Sequence, residues 1–250
     1  HAKKVRPMRY RGSVNLIVLL CFFFSGLAGL IYEIHWMRSI VSIIGAAPFA
    51  VSIVLTIFMG GLGLGSYLAS RYIDRLPDPS RTLRAYALLE LAIGAYALLI
   101  PVLLIVVRPL WAVVYNSLYD HSALYHLLTF LLAALLFGLP VIAMGATLPV
   151  LSRFSVTNLA RLGTNLGRLY GLNTLGAAAG SFLCGFLMIQ YFGMPGTLAA
   201  AVAINLAIGL LCLALARHLA GTASPAPEIA PLGPQPSVTL SPGVAIASLA

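Results

Sequence analysis

Residues 169–216 read LYGLNTLGAAAGSFLCGFLMIQYFGMPGTLAAAVAINLAIGLLCLALA, a run of 48 residues without one charged side chain. An α-helix needs about 20 apolar residues to cross the hydrocarbon core of a bilayer. The run is therefore too long for one crossing and has the right length for two. Glycine and proline interrupt it at Phe192-Gly193-Met194-Pro195-Gly196, which predicts that one helix ends there and the next begins.

The composition of the whole chain indicates the same class of protein. Of its 250 residues, 60% are hydrophobic and 8% are charged, and the mean hydropathy is +0.99. A soluble domain usually carries about 25% charged residues. The chain lacks the polar coat that a water-soluble enzyme needs, so we predict an all-α integral membrane protein whose surroundings are a lipid bilayer.

Four further apolar stretches complete a set of six predicted transmembrane helices. They are residues 14–32, a span that begins near Pro48 after a loop at Gly45, residues 85–107 and residues 121–152. The predicted organisation is a basic N-terminus at 1–13, a six-helix domain at 14–217, a Pro-rich linker at 218–243 and the start of a further apolar segment at 244–250. This last segment, and His1 in the place of a Met, predict that the chain is part of a longer protein.

The basic residues predict the orientation in the membrane. Thirteen of the 15 Lys and Arg residues fall before helix 1, in the loops after helices 2 and 4, or after helix 6. Such residues stay in the cytoplasm, so both termini are predicted to be cytoplasmic, in a multi-pass protein of the inner (plasma) membrane. Arg38 and Arg108 fall on the opposite side. The net charge of +9 is then a consequence of topology, and no nucleic-acid partner is expected.

One carboxylate, Glu33, stands near the end of the first predicted helix, between Tyr32 and Trp36. An acid near a membrane boundary is costly unless it is paired or hydrated. The three residues therefore form a candidate contact for a substrate or a cation. The alternative is an interfacial anchor, in which the aromatic rings lie at the headgroup level and Glu33 pairs with Arg38.

A second carboxylate, Glu90, lies deeper, about 9 Å beyond Arg84 at a helical rise of about 1.5 Å per residue. An acid inside a membrane segment marks a functional candidate. Glu90 either couples to protons or cations, or pairs with a basic residue of a cytoplasmic loop. Asn173 and Asn205 are polar residues on tightly packed or apolar helices, and each either bonds a neighbouring helix or faces a central cavity.

Glycines recur at spacings that let two helices approach closely. The predicted packing glycines are Gly26, Gly29, Gly61, Gly65, Gly176 and Gly180. No set of residues has the spacing of a catalytic triad or a metal site, so we predict no catalytic residue, metal or cofactor in this chain. The expected partners are other transmembrane helices, from a second half or from partner subunits.

The loop after helix 2, at 65–75, resembles the loop motif of the major facilitator superfamily. Ser70 stands where that motif has its acid, so that Asp74 is the candidate substitute, and Asp78 is interpreted as part of a solvated turn. Four stretches together resemble the membrane region of the fused major-facilitator/spermidine-synthase-like proteins. They are SGLAGLIYEIHWMR at 25–38, FMGGLGLGS at 58–66, MGATLPVLS at 144–152 and RLYGLNTLGAAAG at 168–180.

This resemblance implies a bundle like one half of a major facilitator, followed elsewhere in the full protein by an aminopropyltransferase-like domain. Nothing catalytic carries over, because the chain has six acids and no Gly-rich loop after a strand. Three functions remain open. The chain is a transporter-like domain that handles a cationic amine, a structural helical subunit of a larger membrane complex, or a membrane anchor for the aminopropyltransferase-like domain.

Overall fold

The computed structural model describes residues 9–45, 47–73, 78–118, 120–155 and 162–222. Over these residues the chain is helical and contains no strand, which confirms the all-α prediction for that part. The helices are α1 (Arg9–Ile44), α2 (Ala47–Tyr72), α3 (Pro79–Leu118), α4 (Ser122–Ser155), α5 (Leu162–Leu183) and α6 (Ile189–Thr222), with a π-helical turn at Cys184–Met188. The predicted linker beyond residue 222, the segment at 244–250 and Asp74 lie outside the described residues.

Within the described residues, five helical segments are long and apolar enough to cross a membrane. They are Val14–Ile44, Pro48–Tyr72, Pro79–Leu118, Ala123–Phe154 and Gly163–Ala220. The last has 58 residues, about 87 Å of helix at about 1.5 Å per residue, against a hydrocarbon core of about 30 Å. Its backbone leaves the helical conformation at Gly193, where φ is 65° and ψ is −177°. This confirms the predicted break.

The chain reverses direction at that break. The segment before it runs parallel to α1, because Asn173 bonds the carbonyl oxygen of Phe22 and Cys184, further along, contacts that of Ile31. The segment after it runs antiparallel to α3, and α3 itself runs parallel to α1. The two segments therefore run in opposite directions. A residue with a side chain rarely adopts the conformation of Gly193, which explains why a glycine stands at the turn.

Most of the predicted packing glycines lie where two helices touch. A Cβ atom would overlap an atom of the neighbouring helix at Gly26, Gly61, Gly65, Gly176 and Gly180. These contacts join α1 to α5 and α2 to α4. Gly29 is different, because a Cβ there would meet no atom within 4 Å, and its prediction as a packing glycine is wrong. Three residues turn a helix by about 300°, which places Gly29 about 60° away from the line of Gly26.

Asp78 stands directly before α3, and its partly exposed side chain caps that helix. Its carboxylate accepts hydrogen bonds from the backbone N–H of Ser80, at 3.1 Å, and from the hydroxyl of the same residue, at 2.7 Å. Pro79 takes the first helical position, where its missing N–H leaves no bond unmade. Asp78 is thus the N-cap of the helix that carries Glu90.

Two apolar clusters fill the bundle, one towards each end. One cluster contains Phe22 and Tyr86, and the other contains Trp36, Phe58 and Phe137. Each draws on α1, α3, α4 and α6, so the same helices are packed together at both ends. Two buried polar residues, Glu90 and Asn205, lie at the level where the first cluster ends and the second begins.

Candidate functional site

Four side chains from three helices form a buried hydrogen-bonded chain, here called the Glu90 network: Ser25, Tyr32, Glu90 and Asn205. Glu90 Oε1 accepts a bond from Ser25 Oγ at 2.6 Å, and Oε2 accepts one from Asn205 Nδ2 at 2.5 Å. Asn205 Oδ1 accepts a bond from Tyr32 Oη at 2.8 Å. Glu90 and Tyr32 are 0% exposed and Asn205 is 2% exposed. The network therefore ties α1, α3 and α6 together in the interior of the bundle.

The local sequence explains why these groups meet. Ser25 and Tyr32 are seven residues apart, which places them two turns apart on one face of α1. Gly94 lies one turn after Glu90 on α3, and a Cβ there would come within 3.2 Å of the Cβ of Asn205. The glycine thus lets α6 approach closely enough for its amide to reach the carboxylate.

Each hydrogen bond of the network is donated towards Glu90, since Tyr32 donates to Asn205 and Asn205 in turn donates to the carboxylate. Ser25 and Asn205 donate to it, and an ionised carboxylate is an acceptor only. The hydroxyl of Tyr86, one turn earlier on α3, is buried beside the carboxylate without hydrogen-bond geometry to it. No basic side chain pairs with Glu90 among the described residues, so the predicted pairing with a loop cation does not occur there. A buried acid held only by neutral donors is a group that a cation or a proton would stabilise.

Glu33 lies apart from the network, although it follows Tyr32 in the sequence. Successive helical residues point about 100° apart, so Glu33 leaves the face on which Tyr32 reaches Asn205. It is half-buried, and it makes no ion pair with Arg38. The structure thus brings Tyr32 and Glu90 together and leaves Glu33 outside.

Trp36 belongs to the interior. It is 0% exposed, and its ring stacks on Tyr32 at 5.3 Å and on Phe137 at 5.1 Å between centroids. The alternative of an interfacial anchor does not fit this position, because such an anchor faces the membrane–water boundary. Trp36 instead packs against the ring of Tyr32, and so fixes the position of the side chain at one end of the Glu90 network.

Asn173 serves the contact between α1 and α5. Its Nδ2 donates to the carbonyl oxygen of Phe22 at 3.0 Å, and it lies directly over Gly26. Of the two interpretations offered by the sequence, the structure shows the bond to a neighbouring helix. This hydrogen bond involves no member of the Glu90 network.

Sequence reasoning missed Ser25 as a site residue. Serine within a helix commonly bonds the carbonyl of its own preceding turn, so its presence gives no signal for a longer-range contact. The one available signal was its position on the face of Tyr32, two turns away. The sequence shows that Asn205 is polar but does not predict its bond to Glu90, because the spacing of residues along α6 does not indicate which helix packs against it.

The chain is similar to a curated protein. It is 30% identical over 195 residues to polyamine aminopropyltransferase 2 of Aquifex aeolicus (strain VF5), and the match covers 78% of this chain and 35% of that protein. The chain thus spans about a third of the length of the curated relative. No family model and no solved structure matches the chain. The similarity supports a relation to spermidine-synthase-like proteins, and the length and apolarity of the helices are consistent with a membrane domain.

Proposed function

We propose that the chain is the transporter-like membrane domain of a polyamine-aminopropyltransferase-like protein, and that it handles a cationic amine through Glu90. The observation that carries the proposal is the buried carboxylate of Glu90, held by neutral donors from two other helices and paired with no described basic residue. Buried acids in membrane segments commonly mark ion and substrate pathways.

The proposed topology has six crossings, with both termini in the cytoplasm, in the inner (plasma) membrane. The reversal of the chain at Gly193 supports two crossings in the longest apolar segment. The concentration of basic residues on the side of the termini supports the orientation. Six helices of this kind resemble one half of a major facilitator, so the proposed partners are further transmembrane helices.

The proposed response has two states of the Glu90 network. With the carboxylate ionised and free of cations, Ser25 and Asn205 donate to it and hold α1 and α6 against α3. A cationic amine that pairs with the carboxylate, or a proton that neutralises it, weakens these two hydrogen bonds. Because Asn205 also accepts from Tyr32, a change at Glu90 alters the contact between α1 and α6.

A flux assay tests the proposal. The full-length protein is reconstituted in vesicles, and the uptake of labelled spermidine is compared for the wild type, Glu90→Gln and Glu33→Gln. Loss of a charge-assisted interaction predicts a decrease of about tenfold or more for Glu90→Gln. Glu33→Gln is the matched control and is expected to transport within about twofold of the wild type, since Glu33 bonds none of the network.

Unchanged flux in Glu90→Gln would overturn the role of the carboxylate. Glu90→Asp keeps the charge and is expected to retain more flux than Glu90→Gln. Elution of each variant as a single species in size-exclusion chromatography excludes misfolding as the cause of a loss.

A second candidate function is membrane anchoring of an aminopropyltransferase-like domain. The observation that favours it is the name of the curated relative, which describes a transferase and not a transporter. Under this function, the wild type itself carries no spermidine across the vesicle membrane. Deletion of the membrane domain from the full-length protein then moves the transferase activity from the membrane fraction to the soluble fraction without abolishing it.

A further inference from the structure

A groove of about 710 Å³ opens at the end of the bundle that lies opposite the N-terminus of α1. It runs between the last turns of α1, the second half of α3 and the start of α6. Its two charged residues are Arg38 and Arg108, and no acid is among the described residues that line it. Its apolar wall includes Pro101, Leu104, Ile105 and Ile189.

These two arginines are the exceptions in the charge pattern of the chain. In the predicted topology the other 13 basic residues fall on the side of the termini, and only Arg38 and Arg108 fall on the far side. They come from different helices and are 70 residues apart in the sequence, yet both line the same groove. Both side chains are exposed, and neither forms an ion pair with a described acid. The groove thus presents two uncompensated guanidinium groups.

The depth of the groove matches the headgroup region of a bilayer. Along α3, Arg108 follows Arg84 by 24 residues, which is about 36 Å at about 1.5 Å per residue. The hydrocarbon core measures about 30 Å, and the bilayer with its headgroups measures about 40–45 Å. If Arg84 lies at one boundary, Arg108 lies at the other. The apolar wall formed by Leu104 and Ile105 is one turn deeper and faces the acyl region.

We propose that this groove binds an anionic phospholipid of the leaflet opposite the termini, with its phosphate between Arg38 and Arg108 and an acyl chain along Leu104 and Ile105. The planar guanidinium groups offer paired donors that match phosphate oxygens. A soluble anion would use the arginines alone, whereas the apolar wall directly beneath them gives the lipid a second contact. The site is independent of transport and of Glu90, so it stands or fails separately from the proposed function.

Native mass spectrometry of the full-length protein in detergent tests the site. Dioleoyl phosphatidylglycerol and dioleoyl phosphatidylcholine are titrated onto the wild type, Arg38→Gln, Arg108→Gln and the double variant. An interfacial arginine contributes enough to anionic lipid binding that each substitution is expected to weaken phosphatidylglycerol binding about fivefold. Phosphatidylcholine binding is expected to change little. Arg168→Gln is the matched control, because Arg168 is exposed on α5 near the opposite face.

Equal phosphatidylglycerol binding by the wild type and the double variant would overturn the proposal. Displacement of the lipid by millimolar inorganic phosphate would also overturn it, because it would identify a site for a free anion. The pair Arg38→Lys and Arg108→Lys keeps the charge and loses the paired donors, so its affinity is expected to lie between those of the wild type and the double Gln variant. This pair keeps the test valid if the double Gln variant fails to fold.

Discussion

The buried carboxylate of Glu90 explains the contacts of several other polar residues. The sequence identified it by its depth, because an acid within a run of apolar residues stands out against any neighbour. The sequence did not identify what surrounds it, since Ser25 and Asn205 come from helices 65 and 115 residues away. Tyr32 was predicted as a site residue for its proximity to Glu33, but it reaches Glu90 through Asn205 instead.

Removal of the Tyr32 hydroxyl tests whether the Glu90 network stabilises the bundle. Tyr32→Phe leaves the ring in its stack with Trp36 and leaves Asn205 Oδ1 buried without its donor. We expect the free energy of unfolding to fall by about 1–3 kcal/mol. The measurement is unfolding of the purified protein in mixed micelles of increasing denaturing detergent. Tyr170→Phe is the control, because Tyr170 is 63% exposed, and an equal loss in both variants would contradict the role of the bond.

At the scale of the helix, glycine spacing predicted close contacts but not the partners. Gly176 and Gly180 both lie against α1, at the backbone of Phe23 and Leu27. A small-residue pattern indicates that some helix approaches, and any apolar helix would satisfy it. Gly29 shares the pattern and makes no such contact, because its direction around α1 differs from that of Gly26. The pairing of α1 with α5 therefore had to be read from the structure.

Two glycines on α5 give a matched test of this contact. A Cβ at Gly176 would overlap the carbonyl oxygen of Phe23, whereas a Cβ at Gly171 would meet nothing within 4 Å. We expect Gly176→Ala to lower the free energy of unfolding by about 1–3 kcal/mol, as overpacking does. Gly171→Ala is expected to be neutral or stabilising, because alanine favours the helix. Equal effects in the same unfolding assay would contradict the α1–α5 contact.

The N-cap of α3 gives a prediction for the pH dependence of stability. Hydrogen bonds from Ser80, first from its hydroxyl and then from its N–H, hold the pKa of the Asp78 carboxyl below its usual range. The unfolded chain then binds the proton more readily than the folded one. Asp78 thus adds stability above its unfolded pKa, about 3.9, and this contribution disappears as the pH falls from there through the folded pKa.

The substitution Asp78→Asn isolates that contribution, because asparagine also caps helices but does not titrate. We expect the variant to unfold near the wild-type temperature at pH 7 and to lack the part of the acid-induced loss that begins near pH 4. Thermal unfolding across this range measures it, with Asp120→Asn, at an exposed turn, as the control. An identical acid profile for the wild type and Asp78→Asn would exclude a role of the cap in acid stability.

For the whole molecule, composition predicted the apolar, all-helical class but fewer of the segment limits, since it ended the first span at residue 32 whereas α1 continues to Ile44. It placed the third span at 85–107, whereas α3 extends over Pro79–Leu118, because apolarity marks the hydrocarbon core while backbone bonding continues beyond it. The break near Gly193 was predictable from glycine and proline. The position of Arg38 and Arg108 on one groove was not predictable from the sequence, because it depends on how α1 and α3 are placed side by side.

Infrared difference spectroscopy reports directly whether the Glu90 carboxyl responds to a cationic amine. Spectra of the reconstituted full-length protein are recorded before and after addition of spermidine, for the wild type, Glu90→Gln and Glu33→Gln. Bands from carboxyl groups other than Glu33 and Glu90 are common to all three. We predict a spermidine-induced change of a carboxyl band that is present in the wild type and in Glu33→Gln and is missing in Glu90→Gln. The same difference spectrum in Glu90→Gln as in the wild type would exclude Glu90 as the group that responds to the amine.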